Sequence, residues 1–442
     1  CIGLCFRHLF CIIIKWIKTS DPKNDAYKMR YIFPFLITSI ICNQSIHQME
    51  MGKYNSQVQT GLDILINERL DFIKGKKVGL VTNHTGVDRN GKPNYKIFMQ
   101  LENVHLQAIF APEHGFFGNI SAGQKIDDQH LEDLPTIYSL YGKTRKPTPE
   151  MLAGLDVIIY DIQDVGARFY TYISTLGLVM EAAGQAGIPI IVLDRPNPLN
   201  GTTIEGPVLD LKYKSFVGMY PIPIRYGLTC GELVQMIAGE KWITAIPELT
   251  VIEMEGWRRN MYFDETGLPW IPPSPNIPDL ETAVIYPGMC LLEATNVSEG
   301  RGTLEPFKKV GAPWYLNEIT KDINGMKIPG AKFKEIRFKP KSLKGMAEHP
   351  KYLNEKCIGM KTLLTDRTDY NSVKTGVKFL YIAQIMTAWN FSVKPKSMNR
   401  IWGNDQLTKL LQGENSLEKV LSVMAIEETS FREKRKPYLL YD

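Results

Sequence analysis

Cysteine, net charge and long apolar runs are all scarce in this 442-residue chain. Of seven cysteines, four (Cys1, Cys5, Cys11 and Cys42) fall in the first 42 residues. Cys230, Cys290 and Cys357 are widely spaced with no C-x-x-C, which argues against a disulfide framework while leaving one bridge open. The formal net charge is +5, but residues 1–41 carry six basic and two acidic side chains, so the remainder stands at about +1. That balance gives no reason to expect nucleic acid as a partner. The apolar run at 31–41 is too short to span a bilayer. Several motifs are also missing. There is no G-x-S-x-G, because Gly118-Asn-Ile-Ser-Ala-Gly123 has the wrong spacing, and this disfavours a nucleophile-elbow hydrolase. The absence of G-x-G-x-x-G, the Walker lysine loop and H-E-x-x-H argues against nucleotide cofactors and zincin chemistry.

The first residues differ from the rest. Lys28 and Arg30 flank Met29, and an apolar stretch then runs to Cys42, which is the layout of a secretory signal. On this reading residues 1–28 are upstream read-through and residues 29–57 are a signal or lipoprotein leader with its linker. A lipid anchor would attach at Cys42, although Ile41 is a poor match to the small residue usual before such a cysteine. The expected location is therefore periplasmic, outer-membrane or secreted, with any membrane contact made only through that anchor.

From residue 58 the pattern is that of a globular protein. Residues 77–82, 106–111, 156–161 and 188–194 are short runs, β-branched or wholly apolar, and predict four buried strands. Helical patterns at 64–72, 95–101 and 175–186 alternate with them, the last closed by Gly187. This alternation predicts an α/β fold with a parallel sheet covered on both faces. A Pro- and Gly-rich stretch at 207–224 suggests a boundary between a first domain, 58–215, and a smaller α+β domain, 216–442. In the second, Thr229 and Glu232 form a capping box, and a proline-braced loop follows at 270–278.

Each predicted strand runs into a polar segment, and in a parallel sheet such segments share one edge. Asn83 with His84, Glu113 with His114, Asp161 with Asp164 and Arg168, and Asp194 with Arg195 should therefore converge. Glu113 stands just beyond a strand, in a loop kept open by Gly115, Gly118 and Gly123. Every one of these residues also has an ordinary structural alternative. Glu113 could cap the next element, and Asp161 and Asp164 could bond loop backbone rather than bind metal or act as an acid/base pair. Arg168 and Tyr172 could hold an anionic ring or simply pack. His84 and His114 could be metal ligands or hydrogen-bonded structure, and Glu299 with Arg301 could be a self-contained ion pair. Trp270 and Trp314 could stack on sugars or lie in the core. Carboxylates, aromatics and arginine converging without a metal or nucleotide motif suit glycoside hydrolysis, which needs one protonated carboxyl and a second stabilising group. Phe116 and Phe117 are expected to give Glu113 the dry setting that disfavours a charged carboxyl.

Several motifs in fixed order now matter together: Leu80-Val-Thr-Asn-His-Thr-Gly86, Pro112-Glu-His-Gly-Phe-Phe-Gly118, Asp161-Ile-Gln-Asp-Val-Gly-Ala-Arg-Phe-Tyr-Thr-Tyr172, Asp194-Arg-Pro-Asn-Pro198 and Glu205-Gly-Pro207. With Ser274-Pro-Asn276, Glu299-Gly-Arg-Gly302 and Tyr438-Leu-Leu-Tyr441, the chain from about residue 58 resembles the exo-β-N-acetylmuramidase family, long catalogued only as a domain of unknown function. The resemblance implies a Rossmann-like catalytic domain, an auxiliary domain and an active cleft between them. It also implies release of terminal N-acetylmuramic acid from the non-reducing ends of peptidoglycan fragments, with no cofactor and with Glu113 as the catalytic acid. On that reading Asp161 or Asp164 stabilises the transition state or positions the acetamido group, with Glu205 and Glu299 as fallback partners. Arg168, Arg195 or Arg301 pairs with the lactyl carboxylate, since a guanidinium matches a carboxylate bidentately. Tyr172 and His114 position the ring, and Asn83, His84 and Asn276 complete the substrate contacts. Two alternatives stand beside it: a non-catalytic periplasmic binder of cell-wall sugars, and a metal-dependent hydrolase.

Overall fold

The computed structural model describes residues 58–121 and 123–442, so the expectations for Met29, Cys42 and the leader lie outside the described residues. Helix α1 (Gly61–Glu68) begins at Thr60, whose backbone N–H donates to the Asp63 carboxylate at 2.8 Å in a capping box. Strand β1 (Lys77–Thr82), helix α2 (Asn94–Gln100), strand β2 (His105–Ala111) and strand β3 (Thr136–Ser139) follow. A one-turn helix α3 (Pro149–Leu152), strand β4 (Val157–Asp161), helix α4 (Tyr172–Ala186) and strand β5 (Ile190–Leu193) come next. Helix α5 (Cys230–Gly239) starts at the Thr229–Glu232 capping box and leads to strand β6 (Leu249–Ile252).

These six strands form one parallel sheet in the order β3-β2-β1-β4-β5-β6. That is the Rossmann order, whose direction of winding reverses between β1 and β4. The central strands β4 and β5 are buried along their whole length, which is why their sequences are continuously apolar. The two strands that sequence pattern does not reveal are the edge strands. Thr-Ile-Tyr-Ser at β3 and Leu-Thr-Val-Ile at β6 are only four residues each and partly exposed.

Because β6 lies at 249–252, the parallel sheet continues past the 207–224 stretch that suggested a boundary. Proline and glycine there shape a long connection between β5 and α5 without ending the domain. After it come helix α6 (Leu280–Met289), strand β7 (Lys309–Ala312), helix α7 (Asn317–Gly325), strand β8 (Ala331–Phe338) and strand β9 (Cys357–Leu364). The three strands make a smaller antiparallel sheet in the order β7-β9-β8. Helices α8 (Ser372–Met386), α9 (Pro395–Trp402), α10 (Gln406–Leu411) and α11 (Leu417–Lys434) complete the chain. One apolar cluster runs from the large sheet (Ile158, Tyr160, Val192) through Tyr286 and Phe307 to Val310, Val373 and Phe379. This shared core explains why residues 58–442 form a single compact unit.

At the carboxyl edge of the sheet, Arg195 and Asp161 form a buried bidentate pair. Arg195 Nε donates to Asp161 Oδ1 at 2.6 Å and Nη2 to Oδ2 at 3.0 Å, while Asn94 Nδ2 donates to the same Oδ2 at 2.7 Å. The pair joins the ends of β4 and β5 and locks α2 to them. Removing one partner strands a buried charge, at a cost of about 3–5 kcal/mol. Arg195→Met should therefore lower unfolding free energy in urea by about that amount, and a loss under about 1 kcal/mol, the scale of an exposed pair, would contradict this structural role.

Candidate active site

A cavity of about 280 Å³ opens beyond the carboxyl ends of β2, β3 and β4. Its first wall comes from the loops after those strands: Glu113 and His114, Tyr141, and the Phe169-Tyr170-Thr171 run. The facing wall comes from the proline-braced loop (Ser274, Asn276, Ile277), from Glu293 and Arg301, and from α9. A second cavity of about 440 Å³ adjoins it, sharing Glu293 and Arg301 and lined also by Gly123, Gln124, Glu299, His349 and Lys351.

Glu113 lines the first cavity and is hydrogen-bonded to a residue of each. Thr171 Oγ1 donates to its Oε2 at 2.6 Å, and the Gly123 backbone N–H donates to its Oε1 at 2.9 Å. The Tyr141 phenol faces the same carboxylate and stays protonated, its pKa pushed up by burial and then by the Glu113 charge to which it hydrogen-bonds. His114 takes a left-handed conformation with φ of 70°. Its Nδ1 lies 2.8 Å from the Ile120 carbonyl, which can only accept, so Nδ1 carries the proton and Nε2 is left as an acceptor. Burial holds the His114 pKa below its ordinary value, opposed by Glu113, so the ring is neutral at pH 7. On the far wall Arg301 Nη2 donates to Glu293 Oε1 at 2.6 Å, and its Nε lies 3.6 Å from Glu299. Burial opposes the Arg301 charge, but Glu293 and Glu299 outweigh it and raise the pKa.

Of the residues singled out from sequence, Glu113, His114, Asn276 and Arg301 line the first cavity, and Glu299 lines the second. The others do not reach it. Asp161 and Arg195 are each other's partners. Asp164 accepts from Gly166 N–H at 2.7 Å and from the Tyr226 phenol, and burial pushes its pKa up to about 6. Arg168 donates to four backbone carbonyls, Pro207 and Ile222 at 2.7 Å, Ile401 at 2.9 Å and Trp402 at 2.7 Å. Glu205 pairs with Arg225 at 2.7 Å and accepts the Val373 N–H in the first turn of α8 at 3.0 Å. Asn83 accepts from the Thr85 N–H at 2.9 Å and hydroxyl at 2.6 Å, closing its own turn.

Tyr172 and His84 act one step removed from the cavity. Tyr172 donates to the Pro273 carbonyl at 2.7 Å, and His84 Nε2 bonds the Pro272 carbonyl at 2.8 Å. Together they pin the loop that presents Ser274 and Asn276. Gly118 accommodates the His84 ring, since a Cβ there would come within 2.1 Å of it. The expected dry setting from Phe116 and Phe117 is not found. Phe116 packs against Tyr95 on the other side of the loop, and Phe117 is 48% exposed. The apolar lining comes instead from Phe169, Tyr170, Tyr286 and Phe307. Trp270 donates to the Pro278 carbonyl at 3.0 Å and Trp314 to the Tyr352 phenol at 3.0 Å, so both serve as packing.

Sequence pattern missed Tyr141, Thr171, Glu293 and Arg400. Tyr141 follows the unrecognised strand β3, and Thr171 lies within a motif where its charged neighbours drew attention. Glu293 had a usable signal, as the one acid in the apolar turn Cys290–Ala294. The thiols Cys230, Cys290 and Cys357 are free. Among the described residues no three His, Cys, Asp or Glu side chains are placed to hold a metal, so the metal-dependent alternative lacks a ligand set there.

An acid, a phenol and a guanidinium around a sugar-sized cavity, at the carboxyl edge of a Rossmann-type sheet, describe a glycosidase of the α/β class. Residues 78–281 match the family described as Exo-beta-N-acetylmuramidase NamZ, N-terminal, and residues 284–441 its C-terminal counterpart; the chain belongs to this family and is a glycosidase. It is 40% identical over 388 residues to the Peptidoglycan beta-N-acetylmuramidase NamZ of Bacillus subtilis (strain 168), covering 87% of this chain and 92% of that one. Two crystal structures of DUF1343 family proteins from Bacteroides fragilis NCTC 9343 share the fold. One superposes with a TM-score of 0.80 at 35% identity, covering 87% of this chain and 99% of that chain. The other has a TM-score of 0.70 at 32% identity, over 88% of this chain and 99% of that chain.

The neutral state of buried His114 has a consequence for stability. Its folded pKa lies below the unfolded value near 6.5, so below that pH the unfolded chain binds a proton that the folded chain refuses. The stability that follows is complete above about pH 6.5 and falls with pH below it, by at most about 1.4 kcal/mol per pH unit. In thermal melts from pH 7.5 down to 5, His114→Gln should lose less stability on acidification than wild type; parallel curves would contradict the assignment.

Proposed function

We propose that the enzyme releases terminal N-acetylmuramic acid from the non-reducing ends of peptidoglycan fragments, with Glu113 as general acid. The observation that carries this reading is that Glu113 lines one of two adjoining cavities and is hydrogen-bonded to a wall of each. Its Oε2 is held by Thr171, which lines the smaller cavity, and its Oε1 by Gly123, which lines the larger. A sugar in the first and its leaving group in the second would place the glycosidic oxygen beside that carboxyl. The smaller cavity suits a single terminal sugar, which supports an exo-acting mode. The name of the Bacillus subtilis relative, a peptidoglycan β-N-acetylmuramidase, supports the same substrate.

Glu293 is the second carboxyl facing the sugar cavity, in place of Asp161 or Asp164, and its pairing with Arg301 fixes its orientation. It would stabilise positive charge developing at the anomeric carbon, or steer the acetamido group that does so. His114 Nε2 is free to accept from a sugar hydroxyl, and Asn276, whose Nδ2 donates to the Met346 carbonyl at 2.8 Å, lies on the opposite wall. The leader read in residues 29–57, with lipid at Cys42, would carry the enzyme out to the compartment where peptidoglycan lies.

Glu113→Gln keeps the size and hydrogen-bonding shape of the side chain but cannot deliver a proton. On a defined muramic-acid–glucosamine disaccharide it should slow N-acetylmuramic acid release by about 10²–10⁴-fold with an unchanged melting midpoint. Release near the wild-type rate would rule Glu113 out as the acid.

A further inference from the structure

Two guanidinium groups line the sugar cavity, and their surroundings differ. Arg301 is committed to the protein: it pairs with Glu293 at 2.6 Å, approaches Glu299 at 3.6 Å and lies 5.3 Å from the centre of the Phe307 ring. Arg400 is exposed, projects from α9 and makes no ion pair among the described residues. It shares with Ser397 and Ile401 the face of α9 that lines the cavity, as spacings of three and four residues require. The carboxyl groups of this cavity, Glu113 and Glu293, belong to other segments.

We infer that Arg400 is the specificity residue for the substrate's carboxylate. The inference rests on the muramidase reading. N-acetylmuramic acid differs from N-acetylglucosamine by one lactyl ether, whose carboxylate is its only anionic group. Arg301 is paired with Glu293 at 2.6 Å, and Glu299, 3.6 Å from it, also takes Lys351 at 2.9 Å, so the cluster is already balanced and a further anion there gains little. Arg400 offers an unmatched planar fork that fits a carboxylate with two parallel hydrogen bonds. Its backbone is held in place, because Arg168 binds the carbonyls of Ile401 and Trp402, the residues directly after it. The carboxylate thus docks against α9 with the anomeric carbon turned toward Glu113, so the contact that selects muramic acid also orients it.

The test compares two aryl glycosides with the same leaving group: that of N-acetylmuramic acid, and that of its lactyl methyl ester, nearly the same shape without the charge. Wild type should prefer the acid by about 10- to 100-fold in kcat/KM, the scale of a charge-assisted bidentate contact. Arg400→Met should bring the ratio close to one, mainly through a raised KM for the acid, with an unchanged melting midpoint. Arg400→Lys should retain part of the preference. A preference kept in Arg400→Met would overturn the role of Arg400 alone. A wild type inactive on both glycosides and on the natural disaccharide would overturn the muramidase reading, and this inference with it.

Discussion

Arg168 holds the two halves of the site together. Its guanidinium is fully buried and donates to four backbone carbonyls, two from the long connection after β5 and two from the last turn of α9. Arg168 and Trp402, at the end of α9, lie 234 positions apart in the chain. Burial lowers its pKa to about 9, which still leaves it charged at neutral pH. A cation at the C-terminus of a helix meets the negative end of the helix dipole and fills acceptors that would otherwise be orphaned. The fit extends to Gly403, where a Cβ would come within 2.7 Å of the Arg168 guanidinium. Lysine could not replace it, because a single ammonium cannot reach four carbonyls arranged in a plane.

A second set of ties builds the other side of the cavity. His84, after β1, and Tyr172, opening α4, hold the proline-braced loop by two consecutive carbonyls. Prolines fix the φ angles of that loop, so two hydrogen bonds suffice to orient all of it. Asp194 plays a similar part at the end of β5: its carboxylate accepts from Thr229, Gly231 and the phenol of Tyr441, and so pins the start of α5 and the C-terminal residues to the sheet. The polar residues at the strand ends thus form a frame, and the groups that face a substrate are mounted on it one residue or one loop further on.

This division follows from burial. Charged groups at the end of a fully covered strand are shut away from water and must find partners within the protein. Asp161 pairs with Arg195 and Glu205 with Arg225, so these charges are engaged within the protein. Glu113 escapes that fate because β2 lies toward the edge of the sheet and is followed by a glycine-bearing turn. His114 at φ 70° and Gly115 at φ 75° turn the chain there, and the Glu113 carboxyl lines the first cavity. Hydrogen bonds from Thr171 and Gly123 then fix its direction.

Local pattern was enough to reveal the central strands, the alternation with helices and the sheet edge beyond which the cavity opens. Continuous apolar runs such as Val157–Asp161 have one use in an α/β fold, and Gly187, Thr229 and Glu232 mark helix ends by mechanisms confined to a few residues. The motif around Glu113 was legible for the same reason, since strand, proline, acid and glycine are consecutive. The edge strands β3 and β6 were not, being too short to show a period. Which polar residues face the cavity was decided by tertiary structure alone. Asp161 and Arg195 lie 34 positions apart and Arg168 and Trp402 lie 234 apart, and no window of sequence shows that each consumes the other's hydrogen-bonding capacity. Arg400 carries no local mark at all; it lines the cavity because α9, whose last carbonyls a buried guanidinium from a distant loop holds, packs there.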